Sequence, residues 1–201
     1  MAIIASPYGF KPVNLIGGTP YAGAIRQIKI ASGYASNLFN GQVVSIVAAG
    51  MVQLVTTDGS AGTPFPAGTV GVFVGCSYTS PVTQQKMFDQ KWLSGTVAND
   101  AVAYVVDDPN ALFQVQSAGS LAQADLGANV PLAAVQSTST GSTLTGNSTS
   151  AVGATAATTT GIAFRIVDFV NGPTSTVGDA FTDVLVKFNS TSHSYTNPVG
   201  I

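Results

Sequence analysis

The stretch AVAYVVDDPNALFQVQ, Ala101 to Gln116, decides the fold class. Val102, Tyr104 and Val106 alternate with Ala101, Ala103 and Val105, the period of two of a strand buried on both faces. Asp108-Pro109-Asn110 then interrupts the run. Asp suits the first position of a β-turn, the proline ring fixes φ for the second, and Asn tolerates the third. Leu112 to Gln116 resumes extended, with Gln114 and Gln116 marking a wetter face. The expectation is a β-hairpin, Val102–Val106 against Ala111–Gln116, forming a central rib.

Short extended runs flank this rib on both sides. Ile25 to Ile30 alternates and reads as an edge strand. Asn40-Gly41 is a turn signal, followed by a strand pair, Gln42–Ala48 and Met51–Thr57, around Ala49-Gly50. Thr69 to Thr79 is the next strand, its glycines pointing to bends or close backbone approach. Thr83 to Leu93 fits either a helical turn or an irregular strand. Ala118 to Gly127 is the best helix candidate, with Ser120 placed to cap it and Gly127 just past its end. Asn129 to Val135 is extended again. Two last strands, Ile162–Phe169 and Phe181–Asn189, flank Asn171-Gly172-Pro173. In the second, Thr182, Val184, Val186 and Phe188 form one face and Phe181, Asp183, Leu185 and Lys187 the other. Turn signals at this spacing predict an all-β fold, a small barrel or sandwich of short antiparallel strands with at most one or two short helices.

Composition agrees. Only 8% of the 201 residues are charged, against roughly 25% in average soluble domains. All nine acidic residues are Asp and none is Glu, which argues against long solvent-facing helices. A net charge of −2 with seven scattered cations leaves no basic footprint for nucleic acid. No apolar run reaches the roughly 20 residues of a membrane span. So uncharged a surface suggests that neighbours cover much of it.

Chemistry is sparse. Cys76 and His193 are each the only one of their kind, so a zinc site lacks ligands, and Cys76 lies in an apolar run where a thiol is inert. No serine has a nucleophile-elbow context. Asp107-Asp108 with Asp100 could make at most a weak calcium site; a solvated turn is the plainer reading. The expectation is no enzyme, no cofactor and no metal.

The chain divides into an extended N-terminal arm (1–24), a main β domain (25–135), a Ser/Thr/Gly/Ala-rich loop or linker (136–161), and C-terminal strands with a tail (162–201). In the arm, Pro7, Pro12 and Pro20 alternate with glycines and with Tyr8, Phe10 and Tyr21. Such a segment is too apolar for a free tail. It lies on its own domain or reaches a neighbour, with the domain's strands expected to begin near Ile25. The low-complexity segment reads as a loop, or as a small-residue strand close to another backbone.

Four stretches carry a resemblance: Gly9-Phe10-Lys11-Pro12-Val13 with Gly18-Thr19-Pro20-Tyr21; the strands GQVVSI, MVQLVTTDG and GTVGVFVGCSYT; AYVVDDPNALFQVQ; and FTDVLVKFNSTSHSY. Over about half its length the chain resembles the head decoration (cement) proteins of tailed bacteriophages. The resemblance implies a structural virion protein on the outer surface of the capsid, made in the host cytoplasm. Its partners would be the major capsid protein and copies of itself, with a homotrimer expected. The contact candidates it implies are Tyr8, Phe10, Pro12 and Tyr21 at one end and His193, Tyr195 and Pro198 at the other. A tail- or fibre-associated host-binding β-domain is the alternative, with Trp92 and Tyr78 as its glycan-stacking candidates. The major capsid protein itself ranks lower, for want of a long charged helix.

Overall fold

The computed structural model describes residues 4–201. Among these residues thirteen strands follow one another: β1 Lys11–Leu15, β2 Arg26–Lys29, β3 Leu38–Phe39, β4 Gln42–Ile46, β5 Val52–Leu54, β6 Thr69–Thr79, β7 Lys86–Asp89, β8 Lys91–Trp92, β9 Val102–Val106, β10 Ala111–Gln116, β11 Asn129–Val130, β12 Phe164–Phe169 and β13 Asp183–Phe188. The all-β expectation holds, and the form is two open sheets rather than one closed barrel. One sheet runs β1-β10-β13-β12-β11. The other runs β2-β9-β6-β4-β5, with β7 added to β6, and β3-β8 form a small third sheet. All strand pairs are antiparallel.

The main core gathers Phe113, Val115, Phe164, Val186 and Phe188 from the first sheet with Val43, Val72 and Val106 from the second. The far face of the second sheet builds another core from Val44, Phe73, Cys76, Trp92, Ala103 and Val105. Adjacent residues therefore serve different cores, Val72 against Phe73 and Val106 against Val105. This is how a strand with apolar side chains on both faces behaves when both faces are covered.

The quoted stretch is two strands and a turn, but it is not a hairpin. The turn forms as read: the Ala111 amide donates to the Asp108 carbonyl at 3.0 Å, and the Asn110 amide donates to the Asp108 side chain at 2.8 Å. β9, however, pairs with β2 and β6, whereas β10 pairs with β1 and β13. A strand has two hydrogen-bonding edges, and both edges of β9 are filled within the second sheet. The chain after the turn is therefore carried across the core into the first. Gly71 belongs to the same arrangement. A Cβ there would meet the Val106 carbonyl oxygen at 1.9 Å, so β6 and β9 approach closely only because the side chain is missing.

The N-terminal segment departs from expectation. β1 begins at Lys11, well before Ile25, and pairs with β10 as the edge of the first sheet, a place where a proline is tolerated because one side of the strand needs no donor. Phe10 is wholly buried, stacked on Phe164 at 4.8 Å and edge-on to Phe113 at 6.4 Å. It enters the core because Gly9 and Gly41 let three backbones meet: Cβ atoms on Gly9 would lie 2.9 Å from the Ser148 Cβ and 3.0 Å from the Gly41 Cα.

Residues 136–161 are not a free linker. They form no regular strand, but isolated bridges tie them to residues 40, 117, 129 and 132. Val152 is fully buried in the main core. Gln136, also buried, acts as a peptide substitute. Its Nε2 donates to the carbonyls of Val43 and Val55 at 3.0 and 3.2 Å, while its Oε1 accepts from the Val43 amide at 2.9 Å and the Ser150 hydroxyl at 3.1 Å. The expected helix at Ala118–Gly127 is a correction. Only a 3-10 turn, Gln123–Asp125, forms. Ser120 does not cap it; its hydroxyl donates to the Gly178 carbonyl at 3.0 Å, while Asp125 accepts from the Ala122 amide.

Two stability tests follow from this packing. Phe10→Ala should lower unfolding free energy by about 3–5 kcal/mol, the range for truncating a buried aromatic ring, read as a lower urea midpoint at unchanged slope. Gln136→Met conserves volume but strands the Val43 amide and two carbonyls, and should cost about 1–3 kcal/mol for each group left unpaired. A midpoint unchanged in either variant contradicts the packing described.

Candidate interaction surfaces

The seven contact candidates divide into those the domain absorbs and those it leaves outside. Phe10 has no exposed surface. Tyr8 is half-buried, with the Lys11 ammonium 4.1 Å from its ring centroid. Burial, and then the Asp183 charge, push its hydroxyl well above the usual phenol range. Asp183 is raised in turn, by burial first, while Tyr8, Gln114 and the Lys11 charge act against that. Pro12 is partly buried opposite Phe113. Tyr21 packs against the main core and its hydroxyl donates to the Ala24 carbonyl. These four residues lie on their own domain, and Phe10 in particular offers nothing to a neighbour.

At the other end His193 is also buried, with 1% of its surface exposed. Its ring is edge-on to Phe188 at 5.6 Å and to Tyr195 at 5.2 Å. Its Nδ1 accepts from the Tyr195 amide at 3.2 Å, and its Nε2 has no hydrogen-bond partner. The Tyr195 hydroxyl donates to Asp107 at 2.9 Å. Arg26 also binds Asp107 and lies 5.3 Å from the Tyr195 ring centroid. Asp107, at the turn between β9 and β10, thus fastens the C-terminal tail and β2 together. Tyr195 remains 46% exposed and Pro198 is exposed.

Other sequence candidates resolve on geometry. Trp92 is fully buried and edge-on to Tyr78 at 5.4 Å within the second core, so the pair is no open stacking platform. Cys76 is buried and donates to the Lys91 carbonyl at 3.1 Å; burial first, with Asp89 adding, pushes its thiol up to about 12. Asp100 and Asp107 stand at opposite ends of β9, roughly 20 Å apart at the rise of an extended chain, too far to share a cation. Asp100 is held well below the usual carboxylate range by the Thr79 amide, Lys86 and the Thr79 hydroxyl.

The surface that sequence reasoning missed is the projection formed by β6 and β7. Residues 81–88 are all exposed, Val82 by 87% and Phe88 by 73%. β7 pairs with β6 alone, leaving its outer edge open. The base is fixed by Asp100, which accepts from the Thr79 amide at 3.0 Å and from Lys86 at 2.9 Å. Met87 and Phe88 were visible in the sequence, but their exposure depended on β7 ending its sheet. Among the described residues no helix is long and apolar enough to cross a membrane, and no group of three or more metal-ligating side chains forms. No protein-family model, curated protein or solved structure matches the chain.

The buried histidine predicts a pH dependence. Burial lowers the His193 pKa, with the Val70 backbone first and then the Asp107 and Asp108 charges partly opposing the shift. A group depressed on folding stabilises the fold above its unfolded pKa, near 6.5, and that stability is lost as pH falls, because the unfolded chain takes up a proton the folded one resists. The thermal midpoint should drop between pH 7.5 and 5.5, and His193→Gln should flatten that drop. Parallel pH profiles for the two proteins would contradict it.

Proposed function

We propose that this chain is a structural virion protein that docks on the outer surface of a tailed-phage capsid as a homotrimer and stabilises the assembled shell. The reading rests on the resemblance of four stretches to decoration proteins, and its physical support is the β6–β7 projection. An exposed phenylalanine and valine on a fixed hairpin, in a chain with so few charges, favour a partner surface. A protein that binds the assembled lattice better than its separated subunits stabilises the lattice by mass action. Because Phe10 and His193 are buried in their own domain, the proposed contacts move from the arms to this hairpin, with Tyr195 and Pro198 as further candidates.

The test is Val82→Asp with Phe88→Asp, added to undecorated shells and followed by gradient sedimentation. Both sites are exposed, so stability should change by no more than about 0.5 kcal/mol. Loss of a buried aromatic anchor costs on the order of 2 kcal/mol, about thirty-fold in affinity per site. Full loading by the double variant at unchanged affinity contradicts the hairpin as the docking element. Sedimentation of the free protein at micromolar concentration should give a three-chain species; a single-chain species contradicts the trimer.

A further inference from the structure

On the outer face of the first sheet, β12 and β13 place Arg165 directly opposite Lys187. Like charges opposite one another across a strand pair repel and destabilise the sheet. Surface composition does not force the arrangement, because the chain has only seven cations. Arg26, Lys86 and Lys91 form ion pairs and Lys11 covers the Tyr8 ring. Among the described residues Lys29, Arg165 and Lys187 make no ion pair, but Lys29 stands opposite Val102, and only Arg165 and Lys187 face each other. Asp168, farther along β12, holds its carboxylate on the Phe169 amide at 2.8 Å instead.

Arg165 is also held in place. Its Nε donates to the Asn129 Oδ1 at 3.2 Å. Asn129 is buried and is itself fixed: the same oxygen accepts from the Asn189 Nδ2 at 3.1 Å, and its own Nδ2 donates to the Thr159 carbonyl at 3.1 Å. With Nε committed, the two terminal nitrogens of the guanidinium remain to form the fork that meets an oxyanion through two parallel hydrogen bonds.

Two depressions flank this guanidinium, of about 370 and 130 Å³. Both are walled by Arg165, Asn189 and Ser190. The larger adds Lys187 with the apolar Ile16, Ile166 and Val167, and the smaller adds Thr158, Thr160 and Thr191. The larger lies within the size range of small-ligand sites.

We propose that this groove is an anion-binding site, in which Arg165 and Lys187 take an oxyanion, a carboxylate or a sulfate, and the hydroxyl rim takes the polar atoms beside it. The anion supplies the countercharge that the opposed cations lack. The site stands apart from the β6–β7 hairpin and does not depend on the capsid reading. The oxyanion comes either free or borne on a sugar acid, and the two sources call for the same fork.

The test uses the full chain, with backbone amide shifts followed by NMR during titration with sodium sulfate, sodium glucuronate and neutral glucose at constant ionic strength. Saturable shifts at residues 165, 187 and 189–191 with sulfate or glucuronate are expected. Arg165→Gln and Lys187→Gln should each weaken them at least tenfold. Glucuronate binding more tightly than sulfate identifies a sugar-borne anion; sulfate binding as tightly or better identifies a free one. A second readout guards against misfolding: Lys187→Gln should raise the thermal midpoint of the ligand-free protein, since it removes the repulsion, and should reduce the gain produced by sulfate. No saturable shift with either anion up to tens of millimolar, or glucose binding as well as glucuronate, overturns the proposal.

Discussion

A β-strand offers two hydrogen-bonding edges and no more, and this limit at β9 organises the molecule. With β2 on one edge and β6 on the other, the chain leaving β9 must find another sheet, and the four residues Asp107–Asn110 carry it there. The two sheets are covalently joined across the core at this point, and noncovalent ties collect at the same place. Asp107 receives Arg26 from the edge of one sheet and Tyr195 from the tail, and His193 is buried beneath. A short acidic turn is thus the fastening at which β2, both sheets and the C-terminal tail converge.

Small and polar residues solve the packing elsewhere. A core between two sheets is about 10 Å deep, and a segment without regular strands could enter it only if its own backbone groups were satisfied. Gln136 supplies an amide and a carbonyl where a neighbouring strand would have supplied them. Glycine and serine at positions 9, 41 and 148 leave room for three chains to touch.

Much of this architecture was legible in the sequence. The bounds of β6 agree with the strand read at Thr69–Thr79, the β4–β5 pair forms within the runs read for it, and the face of β13 read as Thr182, Val184, Val186 and Phe188 is the buried one. The hairpin was misjudged because the Asp-Pro-Asn turn has the same local chemistry whether the next strand returns to its neighbour or crosses to another sheet. The start of the strands was misjudged, at Ile25 instead of Lys11, because proline and glycine density marks irregular backbone and hid β1. The exposed hairpin and the opposed cations were beyond reach, as both depend on which strand ends a sheet and on register between strands far apart in the chain.

The order of strands in the first sheet also bears on how the chain acquires its shape. β1 waits for β10, about a hundred residues downstream, and β10 waits in turn for β13 near the end of the sequence. During synthesis the second sheet has all its strands once residue 106 has emerged, whereas the first remains an unfilled template until residue 188 is free of the ribosome. Topologies dominated by such distant pairings fold slowly. Through that interval one edge of β10 has no partner, an open strand edge that its own last strand closes.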